Sequence, residues 1–275
     1  MSDKYADLEL VKNEDKKRFE MEVENHKAFV EYILTNDNVM FLTHTEVPKA
    51  LEGKGVGGSI VEKSLKYIKA NGGEVITSAE VTGYQISNGE VKAVETSHGN
   101  VQGDLVIMTG GSWLPQLSKL AGLSIPVMPG KGYSFMEPNS EHKIVHPALL
   151  IEARVAVTPM NGQVRFGGTM ELAALNKDIN MNRVEGIVDS IPKYYPELNV
   201  EIPAKDKIWY GFRPCSPDGL PYLGYSKKLK NLIIAGGHGM MGISLGPATG
   251  KMVAELANRT TLSADIKLYD PERYN

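Results

Sequence analysis

Leu232-Ile233-Ile234-Ala235-Gly236-Gly237-His238-Gly239-Met240-Met241-Gly242-Ile243-Ser244-Leu245-Gly246-Pro247 is the stretch on which the reading of this chain turns. Its first four residues form a short apolar run closed by glycines, the pattern of a buried strand. The glycines mark a loop, and the spacing beyond it predicts a helix over about 245–258. A loop between a buried strand and a helix offers free N–H groups and the positive end of a helix dipole, which suit it to negative charge developing on a ligand. The bland alternative is a glycine turn needed for close packing, with His238 structural.

Leu105-Val106-Ile107-Met108-Thr109-Gly110-Gly111-Ser112-Trp113 has the same form, a buried strand leading into small residues that let a ligand approach the backbone. Between the two stretches lies Gly211-Phe212-Arg213-Pro214, followed by Ser216-Pro217-Asp218-Gly219-Leu220-Pro221-Tyr222-Leu223-Gly224. An arginine on a strand followed by a rigid proline is suited to bidentate capture of a carboxylate, because its planar fork matches two oxygens. A surface arginine paired with a nearby acid is the competing reading.

The N-terminal part has another rhythm. Polar and apolar residues alternate in Leu8-Glu9-Leu10-Val11, Arg18-Phe19-Glu20-Met21-Glu22-Val23, Ala28-Phe29-Val30-Glu31-Tyr32-Ile33 and Val39-Met40-Phe41-Leu42, with turn residues between. A period of two predicts an antiparallel meander of four strands. Gly53-Lys54-Gly55-Val56-Gly57-Gly58 then opens an amphipathic helix that ends at Asn71-Gly72-Gly73. As letters, Gly53, Gly55 and Gly58 satisfy GxGxxG. Their context does not, since residues 43–52 intervene after the strand, the preceding strands are a meander, and no acid ends Val75-Ile76-Thr77-Ser78. A glycine turn at a helix start can instead hold the pyrophosphate of coenzyme A.

Further strands are expected over 74–77, 79–87, 91–96, 104–108, 132–136, 153–158 and 164–166, with a hairpin at Ser87-Asn88-Gly89. A helix is expected over 182–191, before Pro192. The chain of 275 residues, 42% hydrophobic, has 30 basic and 33 acidic residues, a net charge of -3. Without a basic block, nucleic acid is excluded as an expected partner. Cys215 is the only cysteine, so neither an internal disulfide nor a zinc site of several thiolates is expected. No apolar run is long enough for a membrane span and no secretory leader is read, so a reducing, cytoplasmic setting is expected.

The three C-terminal motifs, together with Gly130-Lys131-Gly132-Tyr133-Ser134, Arg165-Phe166-Gly167-Gly168-Thr169-Met170-Glu171 and Leu268-Tyr269-Asp270-Pro271-Glu272-Arg273-Tyr274, resemble the FAD-dependent D-amino-acid oxidase and dehydrogenase family, most closely its bacterial dehydrogenase-like branch. The likeness spans 73–275. It implies that Arg213 anchors the carboxylate of an amino-acid substrate, with Tyr133 a further residue of the pocket. It also implies that Gly239, Met240, Met241, Gly242 and Ile243 border the flavin ring, and that Val81, Thr109, Gly110 and Trp113 lie along the rest of the FAD. The implied reaction is hydride transfer from the substrate Cα to the flavin. Residues 1–72 are similar to small GNAT-type acetyltransferases, which implies that Lys54, Gly55, Val56 and Gly57 line acetyl-CoA.

The expected fold is therefore mixed α/β (α+β): a partial GNAT-like antiparallel sheet with one helix over 1–72, then an oxidoreductase region over 73–275. Within that region 73–120 and 228–275 are expected to be flavin-domain segments, and 121–227 a substrate domain with a large antiparallel sheet. The resemblance implies a dinucleotide-binding βαβ unit that is not read here, so an incomplete FAD site and a complementing dinucleotide-binding chain are expected. An acetyl-CoA-binding acetyltransferase and a non-catalytic fusion product are the alternative functions.

Overall fold

The computed structural model describes residues 5, 7–34, 40–46, 56–70, 72, 74–138, 144–160 and 162–275. The chain divides into two compact units, one of residues 1–126 with 216–275, the other of residues 127–215.

The first unit opens with the expected meander of β1 (Val11–Asn13), β2 (Arg18–Val23), β3 (His26–Leu34) and β4 (Met40–Glu46), paired antiparallel in that order. Phe19, Met21 and Val23 of β2 and Ala28, Val30 and Tyr32 of β3 are all buried, as a period of two requires when one face is covered. The cover is α1 (Val56–Ala70), whose Val56 and Ile60 join the core with Met21, Val23, Ala28 and Val30. Gly72 follows the helix in the left-handed conformation (φ +91°), where a side chain is disfavoured. The strand expected over 74–77 does not form: those residues are irregular, and Val75 and Ile76 are exposed.

Next come β5 (Val81–Ser87), β6 (Glu90–Thr96) and β7 (Gly99–Val101), a separate antiparallel sheet. The turn between β5 and β6 has Asn88 and Gly89 both at positive φ (+53° and +73°), the requirement of a tight type I′ hairpin. β8 (Val106–Met108) then leads through a short turn into α2 (Leu114–Leu120).

The second unit holds β9 (Met128–Pro138), β10 (Ala148–Leu150), β11 (Val155–Met160), β12 (Gln163–Leu172), α3 (Met181–Val188) and β13 (Trp209–Cys215). Its five strands form the expected large antiparallel sheet, in the order β10-β11-β12-β9-β13. Tyr133, Phe135, Val164, Phe166, Val184 and Ile187 pack between one face of the sheet and α3.

The chain returns to the first unit with β14 (Tyr222–Tyr225), β15 (Leu232–Gly236) and α4 (Gly242–Ala257). β15 lies between β14, antiparallel, and β8, parallel. Leu223 of β14, Ala235 of β15 and Val253 of α4 are buried together, with Ile107 of β8 against them. The helix begins at Gly242, three residues before its expected start. Among the described residues, no helix is long and apolar enough to cross a membrane.

Candidate active site

The site begins with an alternation in β9. Tyr133 and Phe135 point into the α3 core, so Gly130, Gly132 and Ser134 line the opposite face of the sheet. On the neighbouring β13, Gly211 stands opposite Gly132 and Arg213 opposite Gly130. A Cβ placed on Gly132 would lie 2.7 Å from the Arg213 Cζ, so the guanidinium occupies the space that a side chain on this strand would fill. The same device recurs across this face. A Cβ on Gly211 would sit 2.5 Å from the Trp209 ring, one on Gly167 would meet the Ser134 Cβ at 3.2 Å, and one on Gly130 would meet the Cys215 and Met170 sulfurs at 3.0 Å. The sheet thus presents a glycine floor that leaves room for the Arg213 and Trp209 side chains. Arg213 donates from Nη1 to the Thr169 carbonyl at 3.4 Å; none of its other donors has a hydrogen-bond partner among the described residues.

Thr169 sits where the pairing of β12 with β9 shifts register between Gly168 and Glu171. Its backbone is left-handed (φ +60°), a conformation that costs a β-branched residue on the order of 1–3 kcal/mol, and its buried hydroxyl has no hydrogen-bond partner. On the other face, Tyr133 is 2% exposed and donates to the Glu171 carboxylate at 2.6 Å, while its oxygen accepts from the Asn180 N–H at 3.2 Å. Burial, and then the adjoining carboxylate, push the Tyr133 hydroxyl up to about 12. The same bond holds Glu171 below the usual carboxylate range. Tyr133 and Arg213, both singled out by sequence, are therefore on opposite faces of one sheet. Beside Tyr133, the buried Lys131 ammonium donates to Asn176 Oδ1 (2.5 Å) and the Asp178 carbonyl (2.6 Å), 5.0 Å from the centre of the Tyr210 ring.

In the first unit, parallel pairing of β8 with β15 sets Met108 beside Ile234. The turns after both strands therefore emerge together at their carboxyl ends, where ligands of parallel sheets bind. One turn carries Thr109, Gly110 and the exposed Trp113; the other carries Gly239, Met240 and Met241 and leads into α4 at Gly242 and Ile243. A Cβ on Gly110 would meet the Leu117 Cδ1, the end of a side chain that would have to turn aside, and would only touch the Leu114 backbone nitrogen at 3.4 Å. Met240, Met241 and Ile243 are 72, 54 and 96% exposed, an apolar surface beside the N–H groups of the first turn of α4, which no side chain caps. His238 is joined to Thr249 of α4 through its Nε2 at 2.8 Å, and burial lowers its pKa. Val81 opens β5, which packs against α2.

A family model described as DAO, FAD dependent oxidoreductase, matches residues 59–256. The chain belongs to the DAO family. A second family model, GCN5-related N-acetyl-transferase, matches residues 18–88, over β2 to β4, α1 and β5. A D-amino-acid oxidase of Bradyrhizobium diazoefficiens is 29% identical over 218 residues, 79% of this chain and 52% of the relative. A D-amino acid dehydrogenase of Helicobacter pylori is 32% identical over 217 residues, 77% of this chain and 52% of the relative. The chain thus spans about half the length of these curated relatives. Among solved structures, L-proline dehydrogenase from P. horikoshii superposes with a TM-score of 0.67 at 25% identity, covering 80% of this chain and 59% of that one. Glycine oxidase from Geobacillus kaustophilus gives the same TM-score and coverage at 24% identity, a likeness of fold.

The residues of this DAO chain fit a flavin at the carboxyl ends of β8 and β15. Two buried hydroxyls without a partner border that place: Ser112 in the turn after β8, and Ser216, which adjoins Gly237 after β15. A buried hydroxyl left unmatched costs about 1–3 kcal/mol, and a polar ligand reaching it offsets that cost. Of the four residues expected to line acetyl-CoA, Lys54 and Gly55 lie outside the described residues. Val56 is buried in the meander core and Gly57 lies within α1. Sequence reasoning did not find Thr169, Glu171 or Gly132 as partners in the Arg213 arrangement, because strand register is needed to see them.

Proposed function

We propose that this chain takes part in FAD-dependent oxidation of an amino acid, with Arg213 binding the substrate carboxylate. The observation that carries the proposal is the Arg213 guanidinium, seated in the space that Gly132 leaves open, with its remaining donors free of hydrogen-bond partners among the described residues. A planar fork fixed in this way orients a carboxylate by two parallel hydrogen bonds and so limits the poses of the adjoining Cα–H bond. FAD, when bound, supplies the hydride acceptor. N–H groups at the start of α4 favour negative charge beside them, and Met240, Met241 and Ile243 offer apolar surface that excludes water. Val81, Thr109, Gly110 and Trp113 complete the proposed cofactor border on the β8 side. This chemistry asks little proton transfer of the protein, so orientation carries most of the effect.

The partner is proposed to be a dinucleotide-binding chain. Among the described residues β8 pairs only with β15, which leaves its other edge free to receive a parallel strand. Two measurements test the reading. Flavin absorbance should co-purify with the protein or appear on adding FAD, and a panel of D-amino acids should reduce an artificial electron acceptor. R213K, which removes the planar fork, should lower kcat/KM at least about tenfold. A protein that takes up no FAD, alone or with such a partner, overturns the proposal.

A further inference from the structure

We infer that Glu171 is a positioning residue for Arg213, acting from the opposite face of the sheet through the Thr169–Met170 bulge. The inference rests on Arg213 as the carboxylate anchor and adds what sets its orientation.

Three observations meet at the bulge. First, the register of β12 against β9 breaks between Gly168 and Glu171, so that Thr169 and Met170 stand opposite the single residue Gly132 of β9. Second, Thr169 is held left-handed within the break, although a glycine, the residue that adopts this conformation freely, stands next to it. Gly168 is needed for another reason: a Cβ there would lie 2.9 Å from the Arg154 carbonyl and 3.3 Å from Ile187. The strained backbone aims the Thr169 carbonyl at Arg213 Nη1. Third, the bulge ends on Glu171, whose carboxylate accepts from Tyr133 at 2.6 Å and from the Asn180 amide at 3.4 Å. Tyr133 is immobilised by burial and by the Asn180 N–H, so Glu171 is tied to a fixed point.

A left-handed threonine relaxes to an extended backbone when nothing holds it, because the strain favours that change. Relaxation at residue 169 rotates its carbonyl away from Arg213. The bond between Tyr133 and Glu171 opposes this by fixing the chain at the end of the bulge. The ion-dipole contact to Arg213 thus depends on a hydrogen bond made on the face that carries no substrate. Tyr133 belongs to the same device, with its hydroxyl kept protonated as the donor.

The test uses the full chain in five forms: wild type, E171A, E171Q, Y133F and R213K, the last to identify the Arg213 signal. The readout is the order parameter of the Arg213 Nε–Hε group by NMR, which needs no ligand, together with the dissociation constant for anthranilate as a carboxylate probe. In E171A and Y133F the Arg213 group should become mobile, and anthranilate should bind about tenfold to a hundredfold more weakly, as expected when an orienting group loses its alignment. E171Q keeps an oxygen that accepts from Tyr133 and should restore both readouts to within about twofold. A purely structural Glu171 would lower the melting temperature in E171A and leave Arg213 ordered, and that result overturns the inference. Arg213 mobility that responds to Glu171 in a protein without affinity for anthranilate supports the positioning role and overturns the carboxylate reading instead. Probe binding lost in R213K but unchanged in E171A keeps the carboxylate reading and removes the positioning role.

Discussion

At the scale of single residues, glycines carry the site by what they leave out. Gly132 is not required for a turn; it clears the space into which Arg213 lies. The atoms that an added Cβ would meet are the end of a flexible side chain, so G132A should fold with a stability loss below about 1 kcal/mol, although the position is buried. Arg213 would then have to lift from the floor. Carboxylate affinity, measured by calorimetry with anthranilate, should fall by at least about tenfold, since one charge-assisted bond to a fixed fork contributes that much. Unchanged affinity in a folded G132A protein would mean that the pose beside Gly132 is not the binding pose. Sequence could suggest Arg213 from its proline neighbour, but not this partner: Gly132 is eighty-one positions away, and only the β9–β13 register brings the two together. Thr169 was equally hidden, because the adjoining Gly167 and Gly168 are the residues that composition would assign to a left-handed backbone.

At the scale of elements, local patterns were legible where one face is buried and misleading where tertiary contacts decide. The alternation in β2 and β3 predicted the meander because α1 covers one face of it. The β-branched residues over 74–77 read as a strand, yet Val75 and Ile76 are exposed and join no sheet, so propensity without a neighbouring strand did not suffice. The opposite error occurred at the start of α4, where Gly242 has low helix propensity and reads as loop. Packing of Val253 and Ala254 outweighs that penalty. One connection outside the helices and sheets also repays a test. Arg273 makes paired bonds of 2.9 Å to both Asp218 oxygens, donates to the Leu220 and Pro221 carbonyls, and stacks on Tyr222. It thereby fastens the C-terminal turn to the loop that follows Arg213 in sequence. Its guanidinium holds the Asp218 carboxyl far below the usual range. Because the folded value is depressed, the stabilisation is fully present above the unfolded value of about 3.9 and is lost as pH falls below it. D218N should lower stability by about 1–2 kcal/mol at neutral pH, less than a buried pair because Asp218 is partly exposed. Denaturation curves of the two proteins should keep a constant offset above about pH 5 and converge below about pH 4. An offset that persists in acid would assign the loss to altered loop packing.

At the scale of the whole molecule, the two compact units divide the proposed labour. Every residue proposed to border FAD belongs to the unit of 1–126 with 216–275, while Arg213 and its glycine floor belong to the unit of 127–215. A ligand slows local opening where it binds, by the free energy of binding to the closed form. Hydrogen exchange followed by mass spectrometry, on protein with and without FAD, should therefore show its largest protection in peptides over 106–113 and 236–246. Peptides from β10 and β11 should exchange alike in both states, because no residue proposed to border FAD belongs to their unit. Ser112 and Ser216 sharpen the expectation. Their unmatched hydroxyls gain a partner only if the cofactor reaches both turns, so S112A and S216A should each weaken FAD binding by about tenfold without lowering the stability of the FAD-free protein. Protection confined to 18–46 would instead place the nucleotide at the meander, and would favour the acetyltransferase-like part of the chain as the nucleotide site.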